Sequence, residues 1–368
     1  MADAFLVTSR GGFTACTRGR GLQYLSYASR FEPSKMRCTI LILVTAVAAA
    51  VSVEPATAQA AAADPLVVYC GRSETLAAPV FTELERNTGI RVEAHYAGSK
   101  KLQQRVVAEG GAGRADLLWL RDAGYLGWLA DGEWLEPLPA DLRAETDPRF
   151  DDPEGFWVGI SGRMRVLVRN KLLGGSEQPP RSLTALAAGR KRGHLGWVPS
   201  GESFQAHISA LRHAWGNSET SAWLKRMKKL EPKAYPNDSD LLQAVTDGTT
   251  AWGWVDYAAT TPFMKPGTPL AISSFADGDM GNLLSISGAA VRKGTPHKRE
   301  ALHTLRFLLG DWTQRYLAER AHEYPARTGM AASDPFSLPR AFHPSFVDAR
   351  SLVDTAPTRA MLKELALP

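Results

Sequence analysis

Residues 65–89, PLVVYCGRSETLAAPVFTELERNTG, leave this chain the fewest choices of fold. Residues 66–69 are apolar and rich in β-branched side chains, which predicts a strand buried on both faces. Gly71 interrupts the run, and after a polar loop Leu76, Ala77, Val80, Phe81 and Leu84 recur at the spacing of one helical face. Pro79 has no amide hydrogen, so the helix is predicted to start between Thr75 and Ala78, and Asn87-Thr88-Gly89 is predicted to end it. Residues 90–96 read as a second strand, completing a parallel β-loop-α-β crossover. In such a unit the loop after the first strand faces a crevice, and the helix behind it points amide hydrogens there. Arg72, Ser73 and Glu74 are therefore candidate binding residues, with a solvated turn as the competing reading.

The same layout returns further along. Residues 193–198 read as a strand, 199–202 as a loop and 203–215 as a helix with Phe204, Ile208 and Leu211 on one face. A basic amphipathic helix is expected over 221–230. Residues 235–239 cap a helix predicted over 240–247, and the strand 250–255 carries Asp256 and Tyr257 at its carboxyl end. Residues 115–120 form another buried strand ending in Arg121 and Asp122. The long alternating stretch 157–169, with Ser161-Gly162 permitting a bend, suits a crossing between lobes, and 283–291 reads as the strand that returns. Helices are predicted over 123–131, 297–309, 312–321 and 355–365.

With 368 residues, 44% of them apolar, the chain is long enough for a sizeable core and two lobes. A net charge of +5, with no cluster of Lys and Arg interleaved with stacking aromatics, argues against nucleic-acid binding. Most of the ten Trp residues are expected in the core or the cleft walls. Met36-Arg37, the apolar stretch 39–53 and the small residues after it read as a secretory signal peptide over 36–60, cleaved after Ala58 or Ala60. Residues 1–35 read as a non-native extension ahead of a true start at Met36. Cys16 and Cys38 fall outside the mature chain, which leaves Cys70 as a packed apolar residue with no disulfide partner. No Cys follows the apolar run closely, so the mature protein is expected to be free in the periplasm rather than lipid-anchored.

Neither a nucleophile elbow, a His-Glu-x-x-His zinc helix, a phosphate loop nor a dinucleotide fingerprint occurs, and the expectation is that the protein is not an enzyme. The histidines show no ligand spacing beyond His207 and His213, which fall on different helix faces. What remains are polar residues converging from strand ends and helix starts: Arg72, Ser73, Glu74 and Arg121 in the first half, then Ser200, Gly201, Glu202, Ser203, Asp238, Asp256 and Tyr257. Each alone is most often a cap or turn. Together they point to a ligand crevice between two α/β lobes. Tyr257 could donate a hydrogen bond there or, as a phenolate, bind a hard cation such as ferric iron.

The segments VVYCGRSE (67–74), TGIRVEAHY (88–96), RADLLW (114–119), WVGISGRMRVLVRN (157–170), GHLGWVPSGESFQAHISALR (193–212), AYPNDSDLLQAV (234–245), WVDYA (254–258), SISGAAVRKG (285–294) and EYPAR (323–327) resemble, in order, the bacterial periplasmic ferric-iron-binding proteins, which are solute-binding components of ABC importers. The resemblance implies a two-lobed periplasmic-binding-protein fold of type II, with mixed sheets, flanking helices and crossing hinge strands. Residues 61–164 with 283–330 would form lobe 1, 165–282 lobe 2, and 331–368 a C-terminal segment whose final helix packs on the lobes. It also implies a monomer that closes on ferric iron or a ferric chelate as transported cargo, with no catalytic cofactor, and delivers it to a permease and ATPase. Members of that family place two adjacent tyrosines where this chain has Tyr257 and Ala258, and some use a first-loop His where it has Ser73. A loop that holds a companion anion corresponds to residues 200–203, where Glu202 would repel that anion, and an Asn of that site corresponds to Asp238. Two ligand readings stay open. In one a cation is held by Tyr257 with Glu74, Glu202, Asp238 or Asp256; in the other Arg72 and Arg121 hold an anionic organic ligand or chelate. A ligand-dependent sensor accessory on the same scaffold is the other functional class.

Overall fold

The computed structural model describes residues 64–173, 178–189, 193–330 and 348–367. The expected extension, signal peptide and cleavage points, Cys16, Cys38, His343 and residues 331–347 lie outside that range.

Strand β1 (Leu66–Cys70), helix α1 (Glu74–Thr88) and strand β2 (Val92–Tyr96) make the parallel crossover, with β1 and β2 paired from Leu66 and Val92 to Cys70 and Tyr96. Every β1 residue is buried, and α1 turns Ala77, Val80, Phe81 and Leu84 inward. The helix starts earlier than its proline suggests. Pro79 is the sixth helical residue, and the carbonyl it cannot serve, that of Thr75, belongs to an exposed residue that water can satisfy. Helix α2 (Ser99–Glu109) follows, then β3 (Leu117–Leu120), parallel to β1, and helices α3 (Gly124–Asp131) and α4 (Ala140–Arg143).

Strand β4 (Val158–Asn170) is the spine of the molecule. Beyond it come α5 (Leu183–Ala188), β5 (Leu195–Trp197), α6 (Glu202–Lys229), β6 (Lys233–Ala234), α7 (Asp238–Thr246), β7 (Trp252–Asp256), α8 (Tyr257–Thr260) and β8 (Leu270–Ser273). The chain ends with β9 (Leu284–Val291), α9 (Lys298–Leu309), α10 (Asp311–Arg320), β10 (Tyr324–Pro325), α11 (Ala349–Val353) and α12 (Thr355–Glu364). From Val158 to Met164, β4 pairs antiparallel with β9; from Arg165 onward it pairs with β7 and β8. The strand order β2-β1-β3-β9-β4-β7-β5-β6 therefore divides at β4 into two half-sheets, one for each lobe. Between Met164 and Arg165 the strand changes lobe. The return crossing is a turn clipped by the buried Asn282, whose amide accepts from Phe275 N–H at 2.9 Å and donates to the Phe275 and Ala276 carbonyls at 3.1 and 2.7 Å.

The two helices read from the sequence meet within α6 at a kink, at Gly216. With φ 83° and ψ 162°, Gly216 occupies backbone space essentially closed to side-chain-bearing residues, so the helix breaks there and its two segments join at an angle. Lobe 2 is centred on an edge-to-face chain of Trp197, Phe204, Trp254 and Trp223, with centroids 5.6, 5.6 and 6.2 Å apart. Such pairs each add about 0.5–1.5 kcal/mol beyond burial, and they account for three of the ten tryptophans. None of the described helices is long and apolar enough to cross a membrane.

Candidate functional site

A cavity of about 660 Å³ lies between the lobes. From lobe 1 it is lined by the start of α2, the β3–α3 turn and the lobe 1 half of β4; from lobe 2, by the start of α6 and the end of β7. The carboxyl ends of β3 and β7 open onto it because both belong to parallel crossovers. Four of the sequence candidates line it: Arg121, Glu202, Ser203 and Asp256.

The other seven stand behind or beside it. Ser73 and Glu74 are exposed at the start of α1, and Ser73 makes no capping hydrogen bond. Ser200 and Gly201 form the turn into α6, where Gly201 N–H donates to the Val198 carbonyl at 3.0 Å. Asp238 opens α7 and accepts from Asp256 N–H at 3.0 Å, which fixes the end of β7. Arg72 is buried against Glu323 at 2.7 Å, and Tyr257, 8% exposed, packs toward Tyr324 with ring centroids 6.2 Å apart. Arg72 from lobe 1 and Tyr257 from lobe 2 thus converge on adjacent residues of one short segment. Neither is among the residues lining the cavity.

Two arginines absent from the sequence candidates dominate the electrostatics. Arg163 and Arg165 sit two residues apart on β4 and line the cavity, on either side of the change of lobe. Arg163 belongs to lobe 1: its Nη2 donates to Asp122 Oδ1 at 3.0 Å and to the Arg121 carbonyl at 3.1 Å, and its Nη1 lies 3.8 Å from Glu323. That Nη1 has no hydrogen-bond partner, although the residue is only 7% exposed. Arg165 belongs to lobe 2: it donates to Ser203 Oγ at 2.7 Å and to the Trp254 carbonyl, and lies 3.9 Å from Asp238. The pattern that could have revealed them is a period of two, since charged residues at alternate positions of a buried strand must share a face that holds charge.

Six cations line the cavity: Lys100, Lys101, Arg121, Arg163, Arg165 and Arg359. Asp122, Glu202 and Asp256 oppose them, leaving a formal excess of three positive charges, or two once Arg72, Glu323 and Asp238 in the rank behind are included. The starts of α2 and α6 add further positive potential. Burial pushes the Asp256 carboxyl above its ordinary range even though Arg163 and Arg165 pull it down. The charge of Arg163, and then burial, lowers the affinity of Arg121 for its proton. His207, also on the wall, is held near pKa 3 by burial and by Arg165, so it stays neutral while its Nε2 meets the Met280 carbonyl at 2.7 Å. Among the described residues no three His, Cys, Asp or Glu side chains gather closely enough to hold a metal ion by themselves. The arrangement suits an anion or an anionic complex gripped from both lobes.

The bacterial extracellular solute-binding protein model matches residues 80–343. The Fe(3+)-binding periplasmic protein of Serratia marcescens is 32% identical over 291 residues, covering 77% of this chain and 85% of that protein. The major ferric iron-binding protein of Neisseria gonorrhoeae is 30% identical over 277 residues, covering 73% and 83%. The iron-bound HitA structure from Pseudomonas aeruginosa superposes with a TM-score of 0.71 at 27% identity, over 82% of this chain and 99% of that one. With its two α/β lobes, its crossing strand and a charged cavity between them, the chain belongs to the bacterial extracellular solute-binding protein family.

Proposed function

We propose that this protein is the periplasmic solute-binding component of an ABC importer and that it carries ferric iron as an anionic chelate. Its relatives from Serratia and Neisseria are ferric-binding by name, which supports the metal. The observation that carries the chelate is the cleft itself: a cavity of about 660 Å³ with excess positive charge supplied by both lobes. A space in the usual range for small organic ligands, about 300–1,000 Å³, is far larger than one ion needs. In this reading Arg121 and Arg163 from lobe 1 and Arg165 from lobe 2 hold carboxylate oxygens, with Ser203 and the first amides of α6 beside them. Asp256 opposes that anion, and Tyr257, buried beside Tyr324 and off the cavity wall, is not assigned to the metal. The protein binds and releases without bond chemistry, and the closed form is what the permease and its ATPase receive.

The excess of arginine also favours a second reading, in which the cargo is a metal-free organic anion. Calorimetry separates the two. Ferric citrate should bind, more weakly as salt rises and at least about tenfold more weakly after Arg121→Ala, a loss of about 1.4 kcal/mol. Citrate binding equally well without iron would overturn the ferric reading in favour of the organic anion.

A further inference from the structure

Helices α11 and α12 lie across the lobes, and the two attachments differ in kind. On lobe 2 the hold is deep. Leu362 of α12 is 3% exposed within the Trp223 and Trp254 core, and the buried Ser209 of α6 shares a 2.7 Å hydrogen bond with the buried Thr358 and donates to the Asp354 carbonyl at 3.0 Å. On lobe 1 the hold is close but shallow. α11 rests on two glycines of α3: a Cβ at Gly124 would collide with the Ala349 carbonyl oxygen, and one at Gly127 would come within 2.8 Å of Arg350 Cγ. Arg350 then pairs with Asp131 at 2.9 Å and Glu154 at 3.3 Å, both acids more than half exposed. Between these attachments Ala349, Leu352, Val353 and Arg359 line the ligand cavity.

We propose that α11 is a clasp between the lobes: rooted in lobe 2 through α12 and wedged against α3, it walls the cavity and must part from α3 before the lobes can separate. The order of yielding follows from the chemistry. Exposed ion pairs and a backbone contact give way before a buried hydroxyl pair and a leucine packed among tryptophans. A ligand in the cavity therefore escapes only as fast as α11 lifts.

Spin labels at T82C on α1 and K225C on α6, both exposed, report the distance between lobes in the ligand-free protein, and hydrogen exchange reports whether α11 has lifted. The readout needs no cargo, so it stands or falls apart from the ferric reading. In Gly124→Val the added methyls expel α11; its amides should exchange faster and the distance distribution should shift longer or broaden. Arg350→Ala keeps the Ala349–Gly124 contact but removes the ion pairs and the Arg350 stem over Gly127, and it should move both readouts the same way by less, which keeps the test valid if the valine variant does not fold. Faster α11 exchange with an unchanged distance would overturn the clasp, and so would unaltered α11 exchange in the folded variants.

Discussion

Glu323 is a buried charge that ties Arg72, Ser161 and Arg163 of lobe 1 together, and replacing it tests that tie directly. Its carboxylate receives Arg72 Nη2 at 2.7 Å and the Ser161 hydroxyl at 2.5 Å and faces Arg163 Nη1 at 3.8 Å, with side-chain exposures of 4, 5 and 7% for Glu323, Arg72 and Arg163. Glu323→Gln keeps the shape and removes the charge, leaving Arg72 with no carboxylate. Breaking a buried pair by removing one partner costs roughly 3–5 kcal/mol. Asp122 still pairs Arg163 at 3.0 Å, which places the loss at the lower end, roughly 3 kcal/mol. With an unfolding entropy of about 2.1 cal/mol/K per residue over some 300 folded residues, the melting point should fall by about 5 °C. Urea unfolding at pH 7 should show a lower midpoint at unchanged slope. Burial opposes ionisation of Glu323, but Arg72, Arg163 and Ser161 outweigh it and hold the carboxyl below its ordinary range. The stabilisation is therefore complete above the unfolded value of about 4.3 and is lost as pH falls through the lower folded value. The gap between wild type and variant should be flat near neutrality and narrow on acidification below about pH 4. A gap under about 1 kcal/mol at pH 7, or one that ignores acid, would refute this account.

Two further substitutions probe the cleft and the scaffold. Asp256→Asn removes a carboxylate that opposes an anionic cargo, so ferric citrate should bind tighter by roughly 1 kcal/mol; weaker binding in calorimetry would instead make Asp256 a ligand of the metal. Because burial raises the folded pKa of Asp256, its ionisation costs stability as pH climbs from about 3.9 through the folded value, and the Asn variant should gain on wild type in melts across that rise. Gly216→Ala forces a Cβ into φ 83°, ψ 162° and should cost about 1–3 kcal/mol by urea unfolding; a neutral result would mean that α6 straightens freely.

How much of this was legible in the sequence depended on whether the signal was local. The units β1–α1–β2 and β5–α6, and the strand β7, announce themselves because an apolar run, a turn residue and a 3.6-residue period follow one another within a few positions. Helix α2 stayed hidden because its buried apolar residues are only Leu102 and Val106, set among Lys, Gln and Arg. In the cleft, Arg121, Glu202, Ser203 and Asp256 could be picked because strand ends and helix starts face a crevice in any such fold. Arg72 and Tyr257 met the same rule, yet they meet Glu323 and Tyr324. The 323–327 segment comes to lie beside β4 through the Tyr324–Gly162 and Pro325–Ser161 pairings, far away in sequence. Local pattern shows which residues stand at a strand end. It does not show what a distant segment brings to them.

The placement of Arg163 and Arg165 gives the proposed cargo a means to close the cleft. The two guanidiniums sit on the same face of β4, but the partners of Arg163 are in lobe 1 and those of Arg165 in lobe 2, so bending at Met164–Arg165 changes the space between them. Empty, the pair repels, and closure brings like charges together at a cost that salt reduces. An anion between them reverses the sign: it offsets the repulsion that closure would otherwise raise, so its affinity for the closed form exceeds that for the open one. A ligand shifts a conformational equilibrium by that difference and nothing else. Among the described residues Arg163 and Arg165 are the cavity cations joined by the one strand that belongs to both lobes, so an anion that bridges them couples binding to the angle between the half-sheets.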